Sequence, residues 1–276
     1  MDLTNRRTFI KAAGTAALTL SMPGRSFAQV HSGKTDMPLG LASYTLRKFK
    51  TPEAIAMAKR LGVEKICFKD MHMPLNASAA EIQETVAQVH AAGLQLYAAG
   101  VIYMTNEQEV ERAFAYAQAA GLRMIVGVPE HHLLGLCDKK VRETGIMLAI
   151  HNHGPGDQRY ASPGDAYNRI GKLDKRIGLC LDIGHTMRIN EDPAEAAKKY
   201  FDRILDVHIK DVSAASPEGT TVEVGRGVID VVRFLKTLYK LDYQGVLALE
   251  FEKDETDPLP GCAESIGYIR GVMAML

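Results

Sequence analysis

From Leu39 onward the chain alternates short apolar runs with amphipathic stretches, and this order constrains the fold more than any other feature. Eight runs read as strands: Leu39–Tyr44, Lys65–Lys69, Gln95–Val101, Arg123–Val128, Ile146–His151, Gly178–Asp182, Leu205–Lys210 and Gly245–Glu250. Between and after them lie Pro52–Leu61, Ala79–Ala92, Glu107–Ala120, His131–Glu143, Pro163–Leu173, Pro193–Phe201, Ile229–Leu241 and Ala263–Leu276. Apolar residues recur there at helical steps, as at Ile55, Ala58 and Leu61. Gly62, Gly93, Gly121 and Gly145 each follow such a stretch, where a helix commonly stops. Repeated strand–helix pairs in one segment predict an α/β fold, a single (β/α)8 TIM barrel. A doubly wound sheet is the competing topology, but no glycine-rich phosphate fingerprint follows the first strand.

The beginning of the chain has a different character. Arg6-Arg7 is followed by Thr8-Phe9-Ile10-Lys11, a small apolar run from Ala12 to Leu20, and Ser26-Phe27-Ala28. Paired arginines, a short apolar segment and a small-x-small exit describe a twin-arginine signal peptide. The run is too short to span a bilayer. Residues 1–28 are therefore read as a twin-arginine signal peptide and 29–276 as the barrel, with a periplasmic or otherwise exported location. Over the whole chain 33 basic residues balance 33 acidic ones, so nothing suggests a nucleic-acid surface. Removing Arg6, Arg7, Lys11 and Arg25 against Asp2 leaves the remainder mildly acidic. Cys67, Cys137, Cys180 and Cys262 show no paired spacing, and free thiols are expected.

In a barrel of this kind the chemistry gathers at the C-terminal ends of the strands. Those ends carry Arg47, Lys69-Asp70-Met71-His72, Tyr103, Glu130, His151-Asn152-His153, Asp182 with His185, His208-Ile209-Lys210-Asp211, and Glu250 with Glu252. Because alternate strand residues face one side, His151 pairs with His153, His208 with Lys210 and Glu250 with Glu252. Buried polar groups need partners, and one divalent cation would satisfy His151, Asp182, His208 and Glu250 together. Two nitrogens and two oxygens suit Mn²⁺, Zn²⁺, Co²⁺ or Fe²⁺ better than Ca²⁺ or Mg²⁺. The plainer alternatives stay open: Asp182 as a helix cap, and Glu250 as the partner of Lys210 or Arg47.

The stretches AIHNHGPGD (149–157), LCLDIGHTMR (179–188), DVHIKDV (206–212), VGRGVID (224–230) and LALEFE (247–252) together resemble the xylose isomerase-like TIM-barrel superfamily, the sugar phosphate isomerase/epimerase group. The resemblance implies metal ligands at His151, Asp182, His208 and Glu250, and a substrate-contacting histidine at His185. One departure stands out. Many epimerases of the group carry a glutamate where His151 stands, and use two glutamates on opposite faces of the substrate.

The expected function is that of a metal-dependent isomerase or epimerase, which abstracts a proton next to a sugar carbonyl through a metal-stabilised enediolate. Glu250, His153 or Glu130 would move the proton, and Lys210 and Lys69 would neutralise oxyanions. His185 would orient a hydroxyl, and Arg188 and Arg47 complete the candidate substrate contacts. With one glutamate missing, a metal-dependent lyase or dehydratase acting on an oxidised sugar or glycoside is the alternative. A phosphodiesterase of the AP-endonuclease type is disfavoured, because no histidine lies between Asp211 and Arg226. A non-catalytic sugar-binding barrel is the remaining reading. The expected partner is a small carbohydrate, with no nucleic acid and no stable membrane span; a homo-oligomer is compatible with the sequence.

Overall fold

The computed structural model describes residues 37–276, so the twin-arginine segment assigned to residues 1–28 lies outside the described residues. The first half of the barrel runs β1 (Leu39–Ala42), α1 (Thr51–Leu61), β2 (Lys65–Phe68), α2 (Ala79–Ala91), β3 (Gln95–Met104), α3 (Glu107–Ala119), β4 (Met124–Pro129), α4 (Leu134–Thr144) and β5 (Met147–His151). The second runs α5 (Pro163–Ile170), β6 (Ile177–Asp182), α6 (Ile183–Arg188), α7 (Pro193–Tyr200), β7 (Ile204–Ile209), β8 (Asp211–Val212), β9 (Thr221–Val222), α8 (Val231–Lys240), β10 (Leu247–Leu249) and α9 (Leu259–Met273). Parallel strands close a barrel in the order β1-β10-β7-β6-β5-β4-β3-β2, as the alternation predicts. The short β8 and β9 pair separately as an antiparallel hairpin.

Local chemistry sets the helix ends. Ser78 and Glu81 cap each other reciprocally at the start of α2, and Ser162 and Asp165 do so at α5. The carboxylate of Asp192 accepts the first free N–H groups of α7, with Pro193 at the first helical position. Gly62 and Gly145 close α1 and α4 in the left-handed region, with φ of 69° and 74°.

The departures from expectation have physical causes. The strand predicted to reach Tyr44 stops at Ala42, because Ser43 turns into a 3-10 segment; its hydroxyl accepts from Lys69 N at 2.8 Å and pairs with His72 Nδ1 at 2.9 Å. Helix α5 ends at Ile170 rather than Leu173. The buried guanidinium of Arg203 donates to the carbonyls of Ile170, Gly171, Leu173, Asp174 and Ile177, withdrawing them from helical pairing. Helix α9 starts at Leu259, four residues earlier than predicted, because Pro260 falls in its first turn, where a missing N–H costs nothing. Helix α6 and the β8–β9 hairpin were not predicted. All four cysteines are buried and unbridged. Among the described residues no helix is long and apolar enough to cross a membrane.

Register staggers the candidate site residues around the barrel mouth. His151 lies opposite Cys180, Asp182 opposite His208, and His208 opposite Ala248. Glu250 lies two residues beyond Ala248, as Asp182 lies two beyond Cys180, and its N–H is bonded to Ile209 O at 3.1 Å.

Candidate metal centre at the barrel mouth

One donor atom from each of His151, Asp182, His208 and Glu250 lies within 4.8 Å of the others, and all four side chains are buried. His151 Nε2 is 3.1 Å from His208 Nδ1 and 3.4 Å from Asp182 Oδ2, and His208 Nδ1 is 3.4 Å from Glu250 Oε2. Four donors held about 2.1 Å from a common centre in tetrahedral array would stand about 3.4 Å apart. These spacings fit. Asp182 Oδ2 is buried without a hydrogen bond, and the two imidazoles face each other across lone-pair positions that a cation satisfies. Cys180 could replace a carboxylate in a softer set with His151 and His208. Burial, then Asp206 and Asp182, pushes its thiol pKa far up, so it stays protonated and contacts Asp206 Oδ2 at 3.7 Å instead.

Asp182 does both jobs the sequence leaves open. Oδ1 accepts from His185 N at 2.7 Å and caps α6, while Oδ2 turns into the cluster. Asn152, between His151 at the end of β5 and His153 just beyond it, locks this arrangement: its Oδ1 accepts from Asp182 N at 3.0 Å and its Nδ2 donates to Asp182 O at 3.2 Å. Its opposite parity to His151 and His153 was the sequence signal for that role.

Lys210 is the second charged element of the centre. Its ammonium is buried, 2.9 Å from Glu250 Oε2, 3.2 Å from Asp182 Oδ2 and 2.5 Å from Glu252 Oε1. Burial alone would lower its pKa, but Asp182, Glu250 and Glu252 raise it well above the lysine range. Gly184 sits within α6 with Lys210 packed against it. A Cβ at Gly184 would stand 2.3 Å from Lys210 Cγ, so glycine makes room for the lysine stem.

A cavity of about 340 Å³ opens above the cluster, lined by His151, His153, His185, Lys69, Tyr103 and Glu250 among others. His153 Nε2 pairs with the Tyr103 hydroxyl at 3.0 Å and its ring stacks on the tyrosine. Lys69 donates to Val101 O at 2.7 Å and presents its ammonium near the Tyr103 face. Arg188 stands at the edge, its Nη1 3.4 Å from His185 Nδ1. Four of the predicted catalytic and substrate residues, Arg47, Glu130, Arg188 and Lys210, do not line this cavity. Arg47 bonds Glu255 Oε2 at 3.2 Å and Glu252 O at 3.1 Å. Glu130 is held by Arg159, whose Nε lies 2.6 Å from its Oε1.

The electrostatics separate the histidines from the carboxylates. Burial lowers His151; His153 falls to about 3 and His185 to about 4, each mainly through burial. Burial opposes charge at Asp182 and Glu250 too, but Lys210, with His185 at one and His208 at the other, holds both far below the carboxylate range. His208 is raised: burial works against it, but Glu250 and Asp206 outweigh that. Below the centre, burial lifts Asp206 to about 6, and Tyr97 donates to it at 3.1 Å. The mouth thus offers three imidazoles held neutral, a fourth, His208, biased toward its charged form, anionic carboxylates and one fixed ammonium.

Comparison with known proteins bears on the fold and the family. An inosose dehydratase of Lacticaseibacillus casei is 26% identical over 200 residues, covering 55% of this chain and 66% of that protein. The chain spans between 44% and 66% of the length of the curated relatives it matches. A xylose isomerase domain protein from Alicyclobacillus acidocaldarius superposes with a TM-score of 0.71 at 18% identity, covering 87% of this chain and 99% of its own. The 3-keto-D-glucoside 4-epimerase YcjR of E. coli does so with a TM-score of 0.69 at 17% identity, covering 86% and 100%. At these identities the two structures share the fold. The family described as xylose isomerase-like TIM barrel matches residues 53–272, and the chain belongs to it.

Proposed function

We propose that this barrel is a metal-dependent enzyme that removes a proton next to the carbonyl of a polyhydroxylated substrate, and that loss of water from the adjacent carbon follows. The observation that carries this reading is the convergence of His151, Asp182, His208 and Glu250 within 4.8 Å, with Lys210 against the two carboxylates. His151, Asp182, His208 and Glu250 would hold a divalent ion, which would supply Lewis acidity beside the substrate carbonyl.

The chain's own groups divide the remaining work. Glu250, kept anionic, accepts the carbon-bound proton. Lys210 is too firmly protonated to act as an acid, so it stabilises the charge that develops on oxygen. His185 and Lys69 orient hydroxyls from the cavity wall. His153, hydrogen-bonded to Tyr103 and held neutral by burial, lies on the β5 side and positions the departing hydroxyl, which takes up the proton that Glu250 removed. The carbon–hydrogen pair becomes the new double bond as the β-hydroxyl leaves, carrying one proton away as water.

Dehydration is favoured over epimerisation on a specific ground. A symmetric inversion needs a base on each face of the substrate, whereas a histidine stands where many epimerases carry the second glutamate. The relative named inosose dehydratase supports the same choice. Isomerisation or epimerisation is the second reading, favoured by the barrel's likeness to YcjR. Export through the Arg6-Arg7 segment, part of the same proposal, would favour unphosphorylated substrates.

The test loads the protein with Mn²⁺ or Zn²⁺ and incubates it with inosose and keto-sugars in deuterated water. Deuterium beside the carbonyl with a product lighter by one water supports dehydration; unchanged mass with a moved or inverted centre supports the second reading. Asp182→Asn should lose both bound metal and exchange. No exchange from the loaded protein, or full metal content in Asp182→Asn, refutes the proposal.

A further inference from the structure

Beside the donor-lined cavity lies a second of about 440 Å³, walled on one side by the β8–β9 hairpin and sharing His185 and Glu252 with the first. The volume lies in the lower part of the roughly 300–1,000 Å³ typical of ligand sites. Helix α6 ties the two together. Asp182 of the donor cluster caps its start, His185 stands between the cavities, and Arg188, its last residue, lines only the second.

Three cations line this second cavity, Arg188, Lys210 and Lys253, against the single carboxylate of Glu252. They are not equally neutralised. Lys210 meets Glu252 at 2.5 Å, Glu250 at 2.9 Å and Asp182 at 3.2 Å. Lys253 meets Glu223 at 2.8 Å and Asp254 at 3.8 Å. Arg188 forms no ion pair among the described residues. Its guanidinium touches the Pro217 carbonyl, 2.7 Å from Nη2, and the His185 ring, whose Nδ1 is 3.4 Å from Nη1. The carbonyl carries no charge, and burial lowers His185 to about 4, so the ring is neutral too. Glu218 lies in the field of Arg188 but is exposed and accepts from Ser216 Oγ at 2.7 Å.

The guanidinium also has a donor to place. Arg188 Nε is buried without an acceptor, an arrangement that folded proteins seldom tolerate. A planar carboxylate, which accepts two parallel N–H bonds from a guanidinium fork, supplies both the acceptor and the countercharge. A phosphate dianion fits less well. The wall offers it no cradle of free backbone N–H groups, since Gly219 N donates to Ser216 O and Thr220 N to Ser213 Oγ. One cation without a partner balances one negative charge.

We propose that the cavity under the hairpin is a carboxylate subsite centred on Arg188, and that the substrate is an acidic polyol: its carbonyl end lies in the donor-lined cavity and its carboxylate in this one. Glu252, at the junction, does not bar the way, because Lys210 takes up its charge. This assignment rests on the carbonyl-substrate reading above and adds the acidic class.

The test uses the metal-loaded, full-length protein with three probes on one carbon skeleton: D-fructose, D-fructuronate, whose terminal carbon is a carboxylate, and D-fructose 6-phosphate. Dissociation constants are read by calorimetry, and deuterium exchange beside the carbonyl is read separately. D-fructuronate should bind about tenfold to a hundredfold more tightly than D-fructose. Arg188→Gln should reduce that ratio to about threefold or less. Thr221→Asp, which sets a carboxylate in the cavity without touching the Arg188–Pro217 bond, should do the same, and serves if the first variant does not fold. A preference that survives in either folded variant puts the carboxylate elsewhere, on the metal for example, and overturns the subsite. Exchange with no preference for D-fructuronate overturns the subsite alone. A preference lost in the variants, but without exchange in any probe, supports the subsite and overturns the proton-abstraction reading. Tighter binding of D-fructose 6-phosphate than of D-fructuronate overturns the carboxylate assignment, and failure of all three probes to bind overturns both readings.

Discussion

Lys210→Met is the sharpest single perturbation of the centre. The methionine keeps a long unbranched stem against Gly184, so the packing change is small, but the ammonium between Asp182, Glu250 and Glu252 is lost. Removing one partner of a buried ionic group, leaving the others uncompensated, typically costs about 3–5 kcal/mol. For a domain of this size each kcal/mol shifts the melting temperature by roughly 2–4 °C, so the chelated variant should melt about 10 °C below the chelated wild type. A divalent ion replaces the missing charge. Ligand at about a thousand times its dissociation constant contributes about 4 kcal/mol, so added Mn²⁺ or Zn²⁺ should recover most of the loss. The wild type should gain less, because there the ammonium already neutralises the carboxylates that the ion would bind. Thermal unfolding in chelator and in excess metal measures both effects. A chelated variant that melts within 2 °C of wild type, or equal metal rescue in both proteins, would refute the electrostatic account of Lys210.

Two further outcomes follow from the same contacts. His153 and His185, lowered from 6.5 to about 3 and about 4, stay neutral when folded but protonate when unfolded below pH 6.5. Their contribution, joined by the lowered His151, is complete above pH 6.5 and is lost as pH falls toward 4; the raised His208 and Asp206, the latter at about 6, oppose it with two groups against three. The urea midpoint of chelated protein should therefore drop between pH 7 and pH 5, and a flat or rising midpoint contradicts these assignments. Gly227→Ala would place a Cβ 2.2 Å from Asp211 Oδ1 and 2.4 Å from Val212 O. Overpacking of this kind costs about 1–3 kcal/mol, and the loss should appear in urea unfolding; an unchanged midpoint shows that Asp211 does not organise the strap.

Periodicity, which is a local property, was enough to predict the barrel. Apolar runs alternating with 3.6-residue patterns made every barrel strand legible, and Ser78, Ser162 and Asp192 start their helices through side chains that reach only two or three residues. The same logic located His151, Asp182, His208 and Glu250, since a parallel barrel delivers every strand end to one mouth. Boundaries were lost where distant groups intervened, as when Arg203 takes the carbonyls after Ile170. The roles of Gly184 and Asn152 were hidden for a similar reason. Gly184 is small because a lysine from the next strand passes over it, and Asn152 matters because its amide brackets Asp182 from the neighbouring strand. The sequence by itself determined which residues reach the mouth. Only the closed, staggered barrel decided how far apart their atoms stand and which charges neutralise one another, because those distances join side chains 30 to 57 positions apart.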